Sequence, residues 1–222
     1  MQHLNSLEHY VPKPWGKEYL CWRSKSCAIW LLELHHGAST SFHCHTKKNT
    51  GLVVLEGLVR LRLINSEYEL GPLEKINIFR GRFHSSFCLG EKGSVMIEVE
   101  APVDKSDLVR WEDSYGRENL GYETEAKLFD SSEERLLIDY QKGKVSRSLF
   151  CTTEFLVFDE RELKQNIEED CLFICLEGGI GPSEKKLVVV PGDVFSTAVL
   201  LKLLDKFDIV SGSILLRLRK VL

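Results

Sequence analysis

Three histidines in the first half of the chain have the side chains and the spacing of a metal site. His43 and His45 flank Cys44 in the stretch FHCH, and His84 follows a glycine turn in GRFH. In an extended strand, residues two apart project to the same face, so His43 and His45 are expected to point together and Cys44 away from them. With His84 on an adjacent strand, three imidazoles can hold one Zn, Fe, Ni or Mn ion and leave positions open for water or substrate.

The segments around these histidines have the composition of short β-strands. AIWLLEL (28–34), TGLVVLEG (50–57), VRLRLI (59–64), EKINIF (74–79) and SVMIEVE (94–100) are rich in Val, Ile, Leu and Phe, and several of them alternate. Glycines divide them at the short spacing that is typical of an antiparallel sandwich or barrel. The sequence therefore predicts an all-β domain.

A weak internal repeat links the two halves of the chain. LVVLEG (52–57) matches FICLEG (173–178), and each is followed by a proline with an acidic residue two positions later, Glu74 or Asp193. Such a repeat predicts two copies of one strand-turn-strand unit. All seven histidines lie at or before His84, so the second copy is expected to be a structural or dimerising partner without a histidine site.

The composition excludes several classes of protein. The net charge of −4 over 222 residues gives no basic surface for nucleic acid or anionic membranes. The longest apolar runs fall short of the ~20 residues that cross a bilayer, and the first residues lack the pattern of a secretory signal. Seven cysteines without a CxxC pair suit reduced thiols, so we expect a soluble cytoplasmic protein.

The complete spacing of glycines and histidines resembles the two motifs of the cupin superfamily. The first motif, a glycine, five residues, His-x-His, four residues, one ligand position, six residues and a glycine, is matched over residues 37–57. The second is matched over residues 71–84. The match departs at Thr50, where the family usually has a glutamate ligand, and at Phe79, where it usually has proline.

Two further stretches are similar to one cupin family in particular. VPKPWGKEY (11–19) and SDLVRWEDSYGR (106–117) resemble the entry and closing segments of the type II mannose-6-phosphate isomerase domain, which is often fused to a mannose-1-phosphate guanylyltransferase. By this resemblance His45 and His84 fall on metal ligands, while His43 stands where these isomerases tend to carry glutamine. The resemblance covers residues 11 to 117.

The resemblance and the repeat together imply a double-stranded β-helix, the cupin jelly roll, in two tandem copies. We predict a metal-binding cupin domain over residues 1–122, a linker or short helix over 123–143, and a degenerate second cupin-like domain over 144–222. Asp130 or Ser131 is placed to cap the short helix, with two glutamates in its first turn. Because cupins often pair through sheet edges, a homodimer is also expected.

The resemblance implies sugar-phosphate isomerisation, which moves a proton between neighbouring carbons. Glu98 and Glu100 are the candidate proton shuttles, since they alternate with Val99 near the end of a strand. A solvated strand end explains them equally well. Thr50 in place of the charged ligand leaves three neutral imidazoles, and this combination favours an anionic small molecule beside the cation.

Arginines are the candidate phosphate ligands, because guanidinium groups match phosphate oxygens. For Arg110 and Arg117, a structural role in pairs with Asp107, Glu112 or Asp113 is an equal alternative. The candidates are Arg60, Arg62, Arg80, Arg82, Arg110 and Arg117.

Three functions remain open from the sequence. The first is a metal-dependent sugar-phosphate isomerase or epimerase in carbohydrate metabolism, for example in polysaccharide biosynthesis. The second is a three-histidine Fe(II) dioxygenase, as some cupins oxidise small thiols. The third is a non-catalytic cupin that binds a sugar or nucleotide sugar, which the missing glutamate at Thr50 favours.

Overall fold

The computed structural model describes residues 7–123, 125–130, 135–141, 143–148, 150–165 and 167–221. Strands account for 47% and helices for 6%, which confirms the all-β prediction. Within the described ranges, no helix is long and apolar enough to cross a membrane.

The first half folds into two antiparallel sheets that face each other across an apolar core. One sheet has the order β12-β1-β2-β3-β10-β5-β8 and the other β11-β4-β9-β6-β7, which is the double-stranded β-helix predicted from the sequence. The strands are β1 (His9–Lys13), β2 (Gly16–Arg23), β3 (Ala28–Leu34), β4 (Phe42–Cys44), β5 (Asn49–Glu56), β6 (Val59–Leu63), β7 (Glu67–Leu70), β8 (Lys75–Ile78), β9 (His84–Cys88), β10 (Ser94–Ala101), β11 (Val109–Glu112) and β12 (Lys127–Leu128).

Strand β5 is apolar on both faces because both faces are covered. Leu52 and Val54 point into the barrel, where they pack with Trp30 and other buried side chains of the core between its two sheets. Val53 and Leu55 point the other way and pack against residues of the second half of the chain. A continuous run of apolar residues, without alternation, is the pattern expected for such a strand.

The second half forms one five-stranded sheet, in the order β13-β14-β19-β15-β17, and a two-stranded sheet of β16 and β18. The facing pair of sheets that a second barrel needs is not present in the described part of this half, so the prediction of two tandem barrels is not confirmed. The elements are β13 (Val145–Arg147), β14 (Thr153–Asp159), α1 (Glu160–Leu163), β15 (Leu172–Glu177), β16 (Ile180–Gly181), β17 (Val194–Ser196), α2 (Thr197–Leu204), β18 (Asp208–Ile209) and β19 (Ile214–Lys220).

The five-stranded sheet of the second half, β13-β14-β19-β15-β17, covers the outer face of the barrel. Phe155 and Leu216 from this sheet share one buried core with Tyr19, Ile29 and Val53 from the barrel. The opposite face of the sheet packs on α2 and on the two-stranded sheet. The second half therefore buries its apolar strands against the first half, which removes the need for a second closed barrel.

The internal repeat has the same local structure in both copies. The backbone N–H of Val54 donates to the carbonyl of Glu74, as the N–H of Cys175 donates to the carbonyl of Asp193. The carboxylate of each acidic residue then accepts the backbone N–H three residues earlier. The two acidic residues noticed in the sequence are thus equivalent turn-closing groups.

The central strands β10 and β19 are also equivalent, since each pairs with the repeated strand β5 or β15. The positions of Glu98 and Glu100 in GSVMIEVE correspond to Arg217 and Arg219 in GSILLRLR. The second copy therefore has basic residues where the first has acidic ones, and no histidine follows His84 in the sequence.

The connection between the halves runs along β2. The backbone N–H of Leu136 donates to the hydroxyl of Tyr19, and the N–H of Ile138 donates to the carbonyl of Cys21. Residues 135–141 contain no helix. The helix predicted to begin after Asp130 or Ser131 would start within residues 131–134, which lie outside the described residues.

Candidate metal centre

The three histidines meet at the junction of two adjacent strands. His43 in β4 lies directly opposite His84 in β9, and His45 follows the end of β4. Their ring centroids are 4.4 Å apart for His43 and His84, 5.0 Å for His43 and His45, and 5.5 Å for His45 and His84. One potential ligand atom from each ring lies within 4.8 Å of the other two. Cys44 is buried on the opposite face.

Each ring has its Nδ1 atom next to a backbone carbonyl oxygen. Because a carbonyl only accepts hydrogen bonds, Nδ1 must carry the proton and donate, which leaves the lone pair on Nε2. Such a bond also fixes the orientation of a ligating ring. The distances to oxygen are 2.8 Å from His43 to Ser41, 2.5 Å from His45 to Asp107 and 3.0 Å from His84 to Arg82.

Burial keeps the three imidazoles neutral. It lowers the pKa of His43 and His84, and it lowers the pKa of His45 to about 3. The Nε2 atom of His45 is buried and has no hydrogen-bond partner among the described residues. A buried lone pair without a donor is costly unless it binds a cation, so this donor set fits a divalent metal ion.

The carboxylate of Asp107 anchors the loop that carries His45. It accepts hydrogen bonds from the backbone N–H groups of Thr46, Lys47 and Lys48, and from the hydroxyl of Thr46. Burial alone would raise the pKa of Asp107, but these bonds outweigh it and bring the pKa to about 2. One residue therefore orients the ring through its carbonyl and the loop through its side chain.

A narrow cavity of about 50 Å³ opens beside the histidines. Its wall carries five cationic side chains, and the segment that follows β10 closes one side of it. The lining includes Lys13, Trp15, Glu18, His43, His45, Lys48, Glu98, Lys105, Leu108, Arg110, Arg117, Tyr122 and Glu123.

Glu98 and Glu100 share a face of β10, but only Glu98 lines the cavity. Burial would raise the pKa of Glu98, yet the charges of Lys105 and Lys48 hold it well below its usual range, so the group is ionised. Glu100 is fully buried, accepts a hydrogen bond from the indole N–H of Trp30 at 2.9 Å, and forms an ion pair with Lys48. The structure thus places Glu98 at the site and Glu100 beneath it.

The arginines of β6 point away from the cavity. Arg60 pairs with Glu69 at 3.2 Å and Arg62 pairs with Glu112 at 2.7 Å, both on the outside of the barrel. Arg82 is exposed, with its guanidinium 5.8 Å from the ring of Phe79.

Arg80 is exposed, and its backbone N–H donates a hydrogen bond to Oδ1 of Asn49. None of these four arginines lines the cavity described above.

Arg110 and Arg117 do line the cavity, and they also hold their own segment together. Arg117 forms a bidentate pair with Asp113, at 3.0 Å from Nε and 2.6 Å from Nη2. Nη1 of Arg110 donates to the backbone oxygen of Leu120 at 2.6 Å. Arg110 and Arg117 therefore combine a structural role in their segment with a position beside the candidate site.

Three lysines of the cavity wall were missed by the sequence analysis: Lys13, Lys48 and Lys105. For Lys13 a signal existed, because it alternates with buried Val11 in β1 and so shares the inward face. Lys48 and Lys105 lie in connections between strands, where no local pattern distinguishes a buried lysine from a solvated one.

Thr50 is buried, and its hydroxyl has no hydrogen-bond partner in the part of the chain that is described. It lies in β5 opposite Glu100 in β10. Among the described residues, the cluster that could hold a metal ion consists of three neutral imidazoles.

No family model matches the chain. The mannose-1-phosphate guanylyltransferase ManC of Salmonella typhimurium is 28% identical over 121 residues, which are 52% of this chain. The match covers 25% of that relative's length.

Two solved structures have similar folds. The capsular polysaccharide assembling protein CapF from Staphylococcus aureus is 22% identical with a TM-score of 0.42, over 47% of this chain and 34% of that one. A cupin-superfamily sugar phosphate isomerase from Silicibacter pomeroyi is 18% identical with a TM-score of 0.34, over 35% of this chain and 52% of that one. The activity must therefore be inferred from the side chains of the site.

Proposed function

We propose that this chain, whose first half has the cupin fold and resembles the type II mannose-6-phosphate isomerase domain, is a metal-dependent sugar-phosphate isomerase or epimerase. One observation carries the proposal. Three neutral imidazoles each have Nδ1 bound to a carbonyl, which leaves Nε2 to ligate. Two of them, His43 and His45, line a cavity together with the ionised carboxylate of Glu98 and five cationic side chains.

His43, His45 and His84 would hold the divalent ion through their Nε2 atoms. When bound, such an ion polarises the carbonyl and hydroxyl oxygens of a sugar and so acidifies the neighbouring C–H bond. The protein's part is to present three rigid neutral donors, and the carbonyls of Ser41 and Asp107 hold two of these rings in place.

Glu98 is the group that moves the proton. In an isomerisation it accepts a proton from the carbon next to the sugar carbonyl and returns it to the former carbonyl carbon, while the hydroxyl proton passes to the former carbonyl oxygen. In an epimerisation the proton returns to the opposite face of the same carbon, and in both cases the carboxylate is regenerated. A carboxylate with a lowered pKa is a weak base in the empty site. Negative charge of a bound phosphate would raise the pKa of Glu98 towards the range that proton transfer needs.

The cationic side chains of the cavity wall are the reason why we propose a phosphorylated sugar as the substrate. Lys13, Arg110 and Arg117 lie on the same side of the cavity as Glu123, and Lys105 lies next to Glu98. Guanidinium and ammonium groups in a largely buried wall favour an anion over a neutral sugar.

The first experiment is a panel of hexose and pentose phosphates in D₂O, with Zn, Fe, Ni or Mn restored to protein purified without a histidine tag. We expect metal-dependent interconversion of an aldose and a ketose phosphate, or of two epimers, with deuterium incorporated at the carbon that receives the proton in the product. Absence of turnover and of deuterium exchange with every metal would overturn the proposal.

Glu98→Gln isolates the proton shuttle. We expect kcat to fall by about 100-fold or more, with the metal content unchanged, because general base catalysis contributes about that factor. Glu69→Gln, at an exposed carboxylate on the outside of the barrel, is the matched control and should retain wild-type activity.

A non-catalytic binding protein is the second candidate. Thr50 favours it, since this buried neutral hydroxyl stands where the family usually has a charged glutamate ligand. Tight binding of a sugar phosphate or nucleotide sugar, without turnover or deuterium exchange, would establish this function.

A third candidate is an Fe(II) dioxygenase. Within the described residues the cluster consists of three histidines without a carboxylate, and such a ligand set can also hold Fe(II). Oxygen uptake with small thiols as substrates would identify a dioxygenase.

A further inference from the structure

Three cations of the cavity wall converge on a single carboxylate, that of Glu123. Its Oε2 atom lies 2.6 Å from Nζ of Lys13, and its Oε1 atom lies 2.5 Å from Nη1 of Arg117. Nη2 of Arg110 is 3.3 Å from the same Oε1 atom. Arg117 is also paired with Asp113, and Nζ of Lys13 also lies 3.9 Å from Oε1 of Glu18.

Arg110 has no other acidic partner in the described ranges. Nη1 of Arg110 donates only to backbone oxygens, those of Arg117, Leu120 and Gly121. Its side chain is 3% exposed, so solvent screens its charge poorly. The buried charge of Arg110 therefore depends on Glu123, which it shares with Lys13 and Arg117.

Two hydrogen-bond donors beside Glu123 are also left over. The Nε atom of Arg110 and the hydroxyl of Tyr122 are buried, and neither has a hydrogen-bond partner among the residues that the structure describes. The ring of Tyr122 lies 3.8 Å from the ammonium of Lys13. A carboxylate has two oxygens and one charge, whereas a phosphate monoester offers three acceptor oxygens and up to two charges.

We propose that Glu123 is an internal stand-in for the phosphate of the substrate, and that a phosphate monoester binds Lys13, Arg110 and Arg117 by displacing it. This inference rests on the proposed function for the class of ligand. Phosphate supplies a third oxygen, and so an additional acceptor for the Nε atom of Arg110 and the hydroxyl of Tyr122, which lack a partner with a carboxylate.

The exposures of these side chains agree with such an exchange. Lys13 and Arg110 are 2% and 3% exposed, so they form the fixed part of the subsite. The side chain of Glu123 is 25% exposed and follows a segment on the surface, so it can swing outwards into water. Its departure would also enlarge the cavity beside the histidines.

The test is calorimetric titration of metal-free protein, kept in a chelator, with inorganic phosphate. Glu123→Gln removes the competing charge and keeps the shape of the side chain. We expect the Kd for phosphate to fall by about tenfold or more, the factor for losing a competing charged hydrogen bond. Glu118→Gln, at an exposed glutamate in the same segment, is the matched control and should leave the Kd unchanged.

A second variant keeps the result decisive. Lys13→Met/Glu123→Gln removes both members of the ion pair, so it leaves no unpaired charge at position 13, and phosphate affinity should return to the wild-type value or below. If Glu123→Gln alone is unfolded, phosphate should refold it at millimolar concentration, and failure to do so would overturn the inference.

The inference is also overturned if Glu123→Gln binds phosphate no better than wild type, or if acetate binds as tightly as phosphate. These titrations involve neither metal nor sugar. Tighter phosphate binding without isomerase activity would count against the proposed function alone, whereas isomerase activity with an unchanged phosphate Kd would count against the role of Glu123 alone.

Discussion

The Nδ1 atom of His45 lies 2.5 Å from the backbone oxygen of Asp107, 62 residues further along the chain. The carboxylate of the same residue holds the backbone of Thr46, Lys47 and Lys48. The segment after β10 thus sets both the tautomer and the position of a candidate ligand, so the site depends on a contact between distant parts of the sequence.

Asp107→Asn tests this contact. The amide presents one acceptor where the carboxylate presents two, and its NH₂ group would face backbone N–H donors. We expect metal affinity to fall by about 10- to 100-fold, as for other supports of metal ligands. Competition with a chromophoric chelator measures this, and Asp104→Asn, at a carboxylate bonded only to Ser106 and Lys47, should have little effect.

Removal of single histidines tests the metal centre itself. His45→Ala and His84→Ala should each lower the metal stoichiometry of untagged protein, because each removes one of three ligands. His36→Ala removes an exposed imidazole outside the cluster and should leave the stoichiometry at the wild-type value. Elemental analysis gives the answer, and equal metal content in all three variants would eliminate the site.

As the pH is lowered, the metal-free protein should begin to lose stability at a higher pH than protonation of its carboxylates alone would produce. The pKa of His45 is about 3 in the folded state and near 6.5 when unfolded, so between these values the unfolded state binds the additional proton. The free energy of unfolding should therefore decrease as pH falls below 6.5, by about 1.4 kcal/mol per pH unit for this group.

Urea unfolding at pH 7, 6 and 5 measures the slope, in a range where most carboxylates remain ionised. His45→Gln should reduce the slope, and the part that remains should come from His43 and His84, whose pKa values are also lowered by burial. An equal slope in the variant and in wild type would show that His45 titrates normally in the folded protein.

The buried pair of Lys48 and Glu100 should behave unlike the surface pairs. Lys48→Met leaves Glu100 buried without its cation and should cost about 3–5 kcal/mol, whereas Lys48→Met/Glu100→Gln should recover much of that loss. Arg60→Met at the exposed pair with Glu69 should cost about 1 kcal/mol or less. Chemical denaturation of the wild type and these three variants measures the losses, and a loss at Lys48 as small as at Arg60 would contradict the buried ion pair.

The periodicity of the chain determined which side chains face the barrel. In β6, Val59 and Leu61 are buried while Arg62 points outwards, as the two-residue alternation requires. The same rule brought His43 and His45 to one face and placed Cys44 on the other. These features depend only on neighbouring residues, so they can be read without coordinates.

Pairing between distant strands decided the rest. Glu98 and Glu100 have the same local pattern, and only the position of Lys48 and Trp30 makes one a cavity residue and the other a buried support. Likewise, the apolar strands of the second half predicted a second barrel, but they cover the first one instead. Alternation specifies that a face is buried, and only the tertiary structure specifies what buries it, because that partner lies far away in the chain.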